Sequence, residues 1–284
     1  MNRIDFSKAI SNAKTIVIKI GSARVSGDTH EINDFLFSLV GDIRSLIDQD
    51  KKIILVSSGA IAQGKKVIGS TDTISITGTL TLPQKQALAA MGQNQLMNLY
   101  QSFFSKVNVR IAQILFGMRV IKEKYGCQNL LNTFNQLLTW GILPIVNEND
   151  SVATEEIKLG DNDILSAIVS ILVRADLLII LTGVDGFLKN NELVSFMETI
   201  PESDLELAKG PEGPGSGGMR TKLMAANILL QAGIPTAIIN GKEKHCINNL
   251  VQYNKIGTLV ANQNQSKAVS EDEIREMFKN QIVF

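Results

Sequence analysis

Two periodicities alternate along the chain. Short aliphatic, β-branched runs come first: "TIVIKI" (15–20), "KIILV" (52–56), "VRIAQILF" (109–116), "ILPIVN" (142–147), "LLIILT" (177–182) and "PTAIIN" (235–240). Such runs, closed by Gly, Asn or Ser, predict strands, and the fully apolar ones predict strands buried on both faces. Between them apolar residues recur at helical spacing. Ile32, Phe35, Leu36, Leu39, Val40, Ile43, Leu46 and Ile47 form one such stripe. Leu88, Met91, Leu96, Leu99 and Phe103 form another in 82–104, reading as core or as a subunit interface. Further helices are predicted over 60–68, over 129–141 closed by Gly141, over 163–175, and over 219–232 closed by Gly233. Strand alternating with helix predicts an α/β protein with a mainly parallel sheet and crossover helices.

Composition narrows the class. The chain has 284 residues, 44% of them hydrophobic, enough for one large α/β domain or two close lobes. Lys plus Arg and Asp plus Glu are equal at 28 each, so neither nucleic acid nor an anionic membrane is favoured as partner. Cys127 and Cys246 lie far apart and suggest reduced thiols. No apolar run reaches the roughly 18 residues of a membrane span. Charges interrupt the N-terminal segment where a signal peptide would be apolar, so a cytoplasmic location is expected. The sharpest compositional shift is "KGPEGPGSGG" (209–218). From about residue 261 the tail is polar, and Ser270 with Glu273 has capping-box spacing for one short helix.

The candidate chemistry gathers at strand ends, where parallel sheets collect ligands. Lys19, Gly21 and Ser22 end the first strand, and Ser57, Ser58 and Gly59 the second. "NEND" follows Pro144, and "TGVDG" follows the 177–182 run. The stretch 147–163, "NENDSVATEEIKLGDND", holds six carboxylates and one lysine, Lys158. By itself it could be a metal cage, a solvated acidic loop or a pocket for a charged substrate. "GPGSGG" (213–218) formally matches G-x-G-x-x-G, but it follows a polar, helix-forming stretch where a dinucleotide fingerprint follows a strand. Thr221 and Lys222 then fall in the first turn of a helix, whose free N–H groups suit phosphate. Lys19 and Lys222 therefore fit either phosphoryl transfer or a plain anion pocket. His30 and His245 lie outside these loops and read as surface residues. A reaction without a general base fits best, and a carboxylate is an already ionised nucleophile.

The segments "VIKIGS", "VSSGAIAQG", "LPQKQALAAMGQNQLMNLY", "NENDSVATEEIKLGDNDILSA", "DLLIILTGVDG" and "GGMRTKLMAA" occur in the order found in the glutamate 5-kinase family. The chain resembles that branch of the amino acid kinase superfamily over about 14–241. The resemblance implies a three-layer αβα sandwich over 1–260, with an acceptor lobe (about 14–175) and a nucleotide lobe (about 176–260). It leaves a short tail (261–284) with no room for the RNA-binding-type PUA module many relatives carry. It implies transfer of the ATP γ-phosphate, with Mg²⁺, to the side-chain carboxylate of L-glutamate, opening proline biosynthesis. Lys19, Lys222 and Asp163 resemble the catalytic residues, and Ser58, Asp150 and Asn162 the glutamate-binding ones. Lys19, Gly21, Gly59, Thr182, Gly183, Ser216, Gly217, Gly218, Met219, Arg220, Thr221 and Lys222 match the nucleotide-binding positions. No protein metal ligand is implied. Homo-oligomerisation, proline feedback at the glutamate pocket near 70–82, and coupling to glutamyl phosphate reductase are the expected partners.

The chain departs from the family where Gly183 replaces an aspartate and where the segment around 187–196 is short. Arg24 replaces part of a Ser-rich turn and is expected to be solvated. The alternatives are another acceptor (N-acetylglutamate, aspartate or a uridine nucleotide), a non-catalytic amino-acid sensor, or a structural oligomer. Asp150 weighs against an acylated acceptor, because a free α-ammonium wants a carboxylate. Retention of both lysines and Asp163 weighs against a sensor.

Overall fold

A computed structural model describes residues 3–69, 78–153, 162–208, 218–253, 256–262 and 273. The expected Ser216 and Gly217 positions, the 70–77 loop, Glu155, Glu156, Lys158 and Asp161, and most of the C-terminal tail lie outside the described residues.

The chain opens with a 3-10 turn (Arg3–Phe6) and α1 (Ser7–Asn12), then enters β1 (Thr15–Ile20). Next come α2 (Ala23–Ser26), α3 (Thr29–Ile47), β2 (Lys52–Ser57), α4 (Ala60–Gly69) and α5 (Leu82–Phe104). Then follow β3 (Arg110–Phe116), α6 (Met118–Lys122), α7 (Gly126–Thr139), β4 (Ile142–Glu148) and α8 (Asn162–Leu172). The remaining strands are β5 (Leu177–Thr182), a hairpin of β6 (Leu188–Lys189) and β7 (Glu192–Leu193), β8 (Phe196–Met197), β9 (Thr236–Asn240) and β10 (Thr258–Val260). Among them lie α9 (Glu202–Leu207), α10 (Met219–Gln231) and α11 (Cys246–Tyr253).

Eight strands form one sheet in the order β3-β4-β2-β1-β5-β9-β10-β8, parallel except for β9–β10. Helices cover both faces, as a parallel sheet requires. Val17, Ile54 and Val56 face α7, α8 and α10, whereas Ile16, Ile18, Ile20, Ile53 and Leu55 face α3, α5 and α11. The fold is therefore a three-layer αβα sandwich. Strand β1 pairs with β2 on one side and β5 on the other. From β1 the chain runs outward through β2, β3 and β4 and returns to β5 across β1, so the order reverses at β1. Ligand crevices of open α/β sheets lie at such a reversal.

Lys19 is the penultimate residue of β1, opposite Val56 and Ile180. Strand period two puts it on the Val17 face, under α8 and α10. An unpartnered lysine in that core would be prohibitively costly, so its environment must supply an anion.

Helices α4 and α5 cross closely. A Cβ on Gly92 would overlap the Ala60 carbonyl oxygen, so only glycine allows this approach. The α5 start is fixed by a capping box between Thr81 and Gln84. The predicted α5 stripe is displaced in one respect. Met91 is exposed, and the buried face runs through Leu88, Ala89, Gly92, Gln93, Leu96, Tyr100 and Phe103. The cause is packing against α4, which draws in the face carrying Gly92 and Gln93 and leaves Met91 outside. His245 is exposed, as expected, yet its Nδ1 lies 2.9 Å from the buried Asp42 carboxylate. Asp42 also accepts from the Ile247 and Asn248 amides, tying α3 to the start of α11, and burial raises its pKa. Both cysteines are buried thiols outside any disulfide, and burial pushes the Cys246 thiol up to about 12.

Candidate active site

Asp163 lies in the first turn of α8 and is fully buried. Its Oδ1 is 2.6 Å from Lys19 Nζ, and its Oδ2 is 3.0 Å from Lys222 Nζ. Thr221 Oγ1 donates to the same Oδ2 at 2.8 Å. Three elements thus converge: β1 brings Lys19, α8 brings Asp163, and the first turn of α10 brings Thr221 and Lys222. The three ionised side chains carry two positive charges and one negative. Both ammonium groups are oriented by one carboxylate through charge-assisted contacts. Such a preorganised cationic pair suits an anion whose charge changes during reaction.

Asn162, the neighbour of Asp163, anchors a second network. Its Nδ2 is 2.9 Å from Ser58 Oγ, 2.9 Å from the Ser57 carbonyl and 2.8 Å from Asn147 Oδ1. Asn147 Nδ2 donates to Gln93 Oε1 at 2.9 Å. Ser57 Oγ and the Tyr100 hydroxyl are 2.7 Å apart, and burial pushes the Tyr100 phenol above its ordinary range. Asp150 lies beyond this network in a cleft of about 230 Å³. Gln93, Asn94, Gln113, Glu148, Asn149 and Ser151 help to line it. Gln86 Nε2 holds the loop end by donating to the Ala153 carbonyl.

The other expected positions lie at strand ends and at the start of α10. Gly21 and Gly59 are half-buried at the ends of β1 and β2, and Gly59 has φ +115°, where a side chain would also meet Val25. Gly218 is the cap of α10, followed by half-buried Met219 and Arg220. Thr182 ends β5, and its carbonyl accepts from the Gly241 amide at 2.9 Å, with Gly183 exposed beside it. Arg24 is half-buried rather than solvated. Its aliphatic stem lies near Gly241, and it lines a separate surface cleft with Glu31 and Asp34.

Gln93, Asn147 and Glu148 were not singled out from the sequence. The legible signal for Gln93 was a polar residue at a buried position of a helical stripe. Glu148, given no role beforehand, is 8% exposed at the end of β4 and shares the cleft with Asp150. Among the described residues, no three His, Cys, Asp or Glu side chains group to hold a metal ion. No described helix is long and apolar enough to cross a membrane.

Residues 14–240 match the family model described as the amino acid kinase family. A protein named glutamate 5-kinase from Clostridium acetobutylicum is 39% identical over 267 residues, covering 91% of this chain and 98% of the relative. One of the same name from Syntrophus aciditrophicus is 38% identical over 261 residues, covering 89% of this chain and 66% of the relative. Among solved structures, Giardia carbamate kinase superposes with TM-score 0.62 at 17% identity, covering 89% of this chain and all of that one. N-acetylglutamate synthase from Neisseria gonorrhoeae gives TM-score 0.64 at 16% identity, over 93% of this chain and 63% of that one. Both structural likenesses concern the fold.

Proposed function

Because the chain belongs to the amino acid kinase family, and within it to the glutamate 5-kinases, we propose that it transfers the γ-phosphoryl group of ATP to the side-chain carboxylate of L-glutamate. The product is L-glutamyl 5-phosphate, and the reaction opens proline biosynthesis. One observation carries the reading to these residues. Consecutive residues of one helical turn serve two networks: Asn162 reaches Gln93 of the polar cleft through Asn147, and Asp163 holds the buried pair of lysines.

The chemistry follows from that arrangement. Asp150 takes the α-ammonium of glutamate, and Ser58 with Asn162 orients the molecule so that its γ-carboxylate faces Lys19 and Lys222. The carboxylate is ionised at neutral pH and needs no general base. Lys19 and Lys222 neutralise charge on the transferring group and the leaving oxygen, and Asp163 with Thr221 holds them in place. The N-terminus of α10 adds backbone N–H groups toward the nucleotide phosphates. Mg²⁺ would enter with the nucleotide and would supply further neutralisation of phosphate charge. Asp163 has both oxygens engaged by lysines, which fits an ion carried on the nucleotide. Proline shares the α-ammonium and α-carboxylate of glutamate and would compete at the same cleft. An acyl phosphate is labile in water, which favours hand-over to a reductase.

The test is hydroxylamine trapping of the acyl phosphate in the presence of ATP and Mg²⁺. Hydroxamate is expected with L-glutamate and little with N-acetyl-L-glutamate, which lacks the ammonium that Asp150 would meet. Trapping with the acetylated acceptor alone would overturn the assignment.

A further inference from the structure

The Gln93 amide has one end bound and one end unmet. Gln93 is 8% exposed, and its Nε2 finds no hydrogen-bond partner among the described residues. The orientation of this amide is dictated by its neighbours. The Glu148 backbone N–H can only donate, and it meets Asn147 Oδ1 at 2.9 Å, which fixes the Asn147 amide. Asn147 Nδ2 then faces Gln93 at 2.9 Å, so Gln93 must present its oxygen there. At the far end, the Ser57 carbonyl can only accept, and it meets Asn162 Nδ2 at 2.9 Å. Backbone groups therefore fix both ends of the amide chain. Flipping Gln93 would set two NH₂ groups against each other. Its own NH₂ turns away from Asn147 and is itself buried, beside the cleft that Gln93 lines with Asp150 and Glu148.

A buried donor left unmet is costly, and native proteins rarely keep one without use. The described residues lining this cleft include carboxylates and amides, with no lysine or arginine among them. Glu148 and Asp150 suit an ammonium, and a carboxylate entering beside them suits a neutral donor such as the Gln93 amide. We propose that Gln93 Nε2–H donates to the α-carboxylate of the bound amino acid and so selects an acceptor that carries one. The terminal torsion of a glutamine is soft, so a small rotation brings the donor to a ligand oxygen while Oε1 stays near Asn147. The assignment rests on the glutamate kinase reading and adds a specificity residue to it.

Gln93→Glu tests this with little change of shape. Its carboxylate still accepts from Asn147, but the donor becomes an anionic acceptor. The substrates are L-glutamate and its α-amide, isoglutamine, which keeps the α-ammonium and γ-carboxylate. In the variant, KM for L-glutamate should rise about tenfold to a hundredfold, the range of one hydrogen bond to a charged group. KM for isoglutamine should rise less or fall, because its amide can donate to the new carboxylate, and KM for ATP should stay put. A parallel change for both acceptors, or an unchanged KM for glutamate, would overturn the proposal. Should Gln93→Glu fail to fold, Gln93→Met removes the donor without adding charge and should also narrow the preference for glutamate over isoglutamine. If wild-type protein makes no hydroxamate from glutamate, the functional assignment fails. If it does, and the acceptor ratio is unmoved by either variant, only the role of Gln93 fails.

Discussion

At the scale of single residues, the site divides between two neighbours in the chain. Asp163 is committed to Lys19 and Lys222, and Asn162 to Ser58, Ser57 and Asn147. Removing the charge of Asp163 would leave two lysines facing each other in a buried site. Asp163→Asn should therefore lose about 3–5 kcal/mol of stability as well as turnover, read as a lower urea midpoint beside slower hydroxamate formation. Loss of turnover at an unchanged midpoint would mean that the lysines are stabilised by something other than Asp163. Asp150→Ala should act differently, raising KM for glutamate with little change in the urea midpoint. An unmoved KM would remove Asp150 from the acceptor cleft. The sequence pattern marks Lys19, Ser58 and Asp150 at strand ends and Lys222 at a helix start, whereas Asn162 and Asp163 are expected only from the resemblance to the glutamate 5-kinases. Gln93 and Asn147 were not singled out. Their importance lies in which end of each amide faces which neighbour, and that depends on α5, β4 and α8 meeting.

At the scale of elements, the crossing of α4 and α5 positions the cleft. The start of α4 follows Ser58 and Gly59, and Gln93 sits beside Gly92 at the point of closest approach. A Cβ at Gly92 meets backbone rather than a movable side chain, so the helices must separate. Gly92→Ala should cost about 1–3 kcal/mol, as overpacking does, and should raise KM for glutamate by displacing Ser58 and Gln93 together. A variant with an unchanged urea midpoint and KM would show the crossing to be loose. The six strands predicted from sequence were visible as unbroken aliphatic runs, and the long helices α3, α5, α8 and α10 because their periodicity spans many residues. The short elements α1, α2, α6, β8, α11 and β10 were not. These two to eight residues carry too little pattern of their own, and their conformation is set by contacts such as the Asp42 tie to α11. Met91 was misplaced because the α4 contact, not apolarity alone, chose the buried face of α5.

At the scale of the whole molecule, the sheet gives β1 its central place and its reversal point, and this is where Lys19 emerges from the core. Alternation of strand and helix made the layered architecture readable, whereas the strand order was not. Order follows from how crossovers pack, which no local pattern encodes. The fold alone is shared with proteins named for different activities, so the assignment of function depends on the site and on the close relatives. The account's central claim is that the two lysines held by Asp163 stabilise the transferring phosphoryl group. Lys222→Met isolates it, because Asp163 keeps Lys19 and Thr221 as partners and the variant should stay folded. The measurement is turnover for hydroxamate formation at saturating L-glutamate, ATP and Mg²⁺. A fall of roughly a hundredfold to a thousandfold, equivalent to about 2.7–4 kcal/mol of lost stabilisation, is predicted. Turnover near that of the wild type would contradict the account.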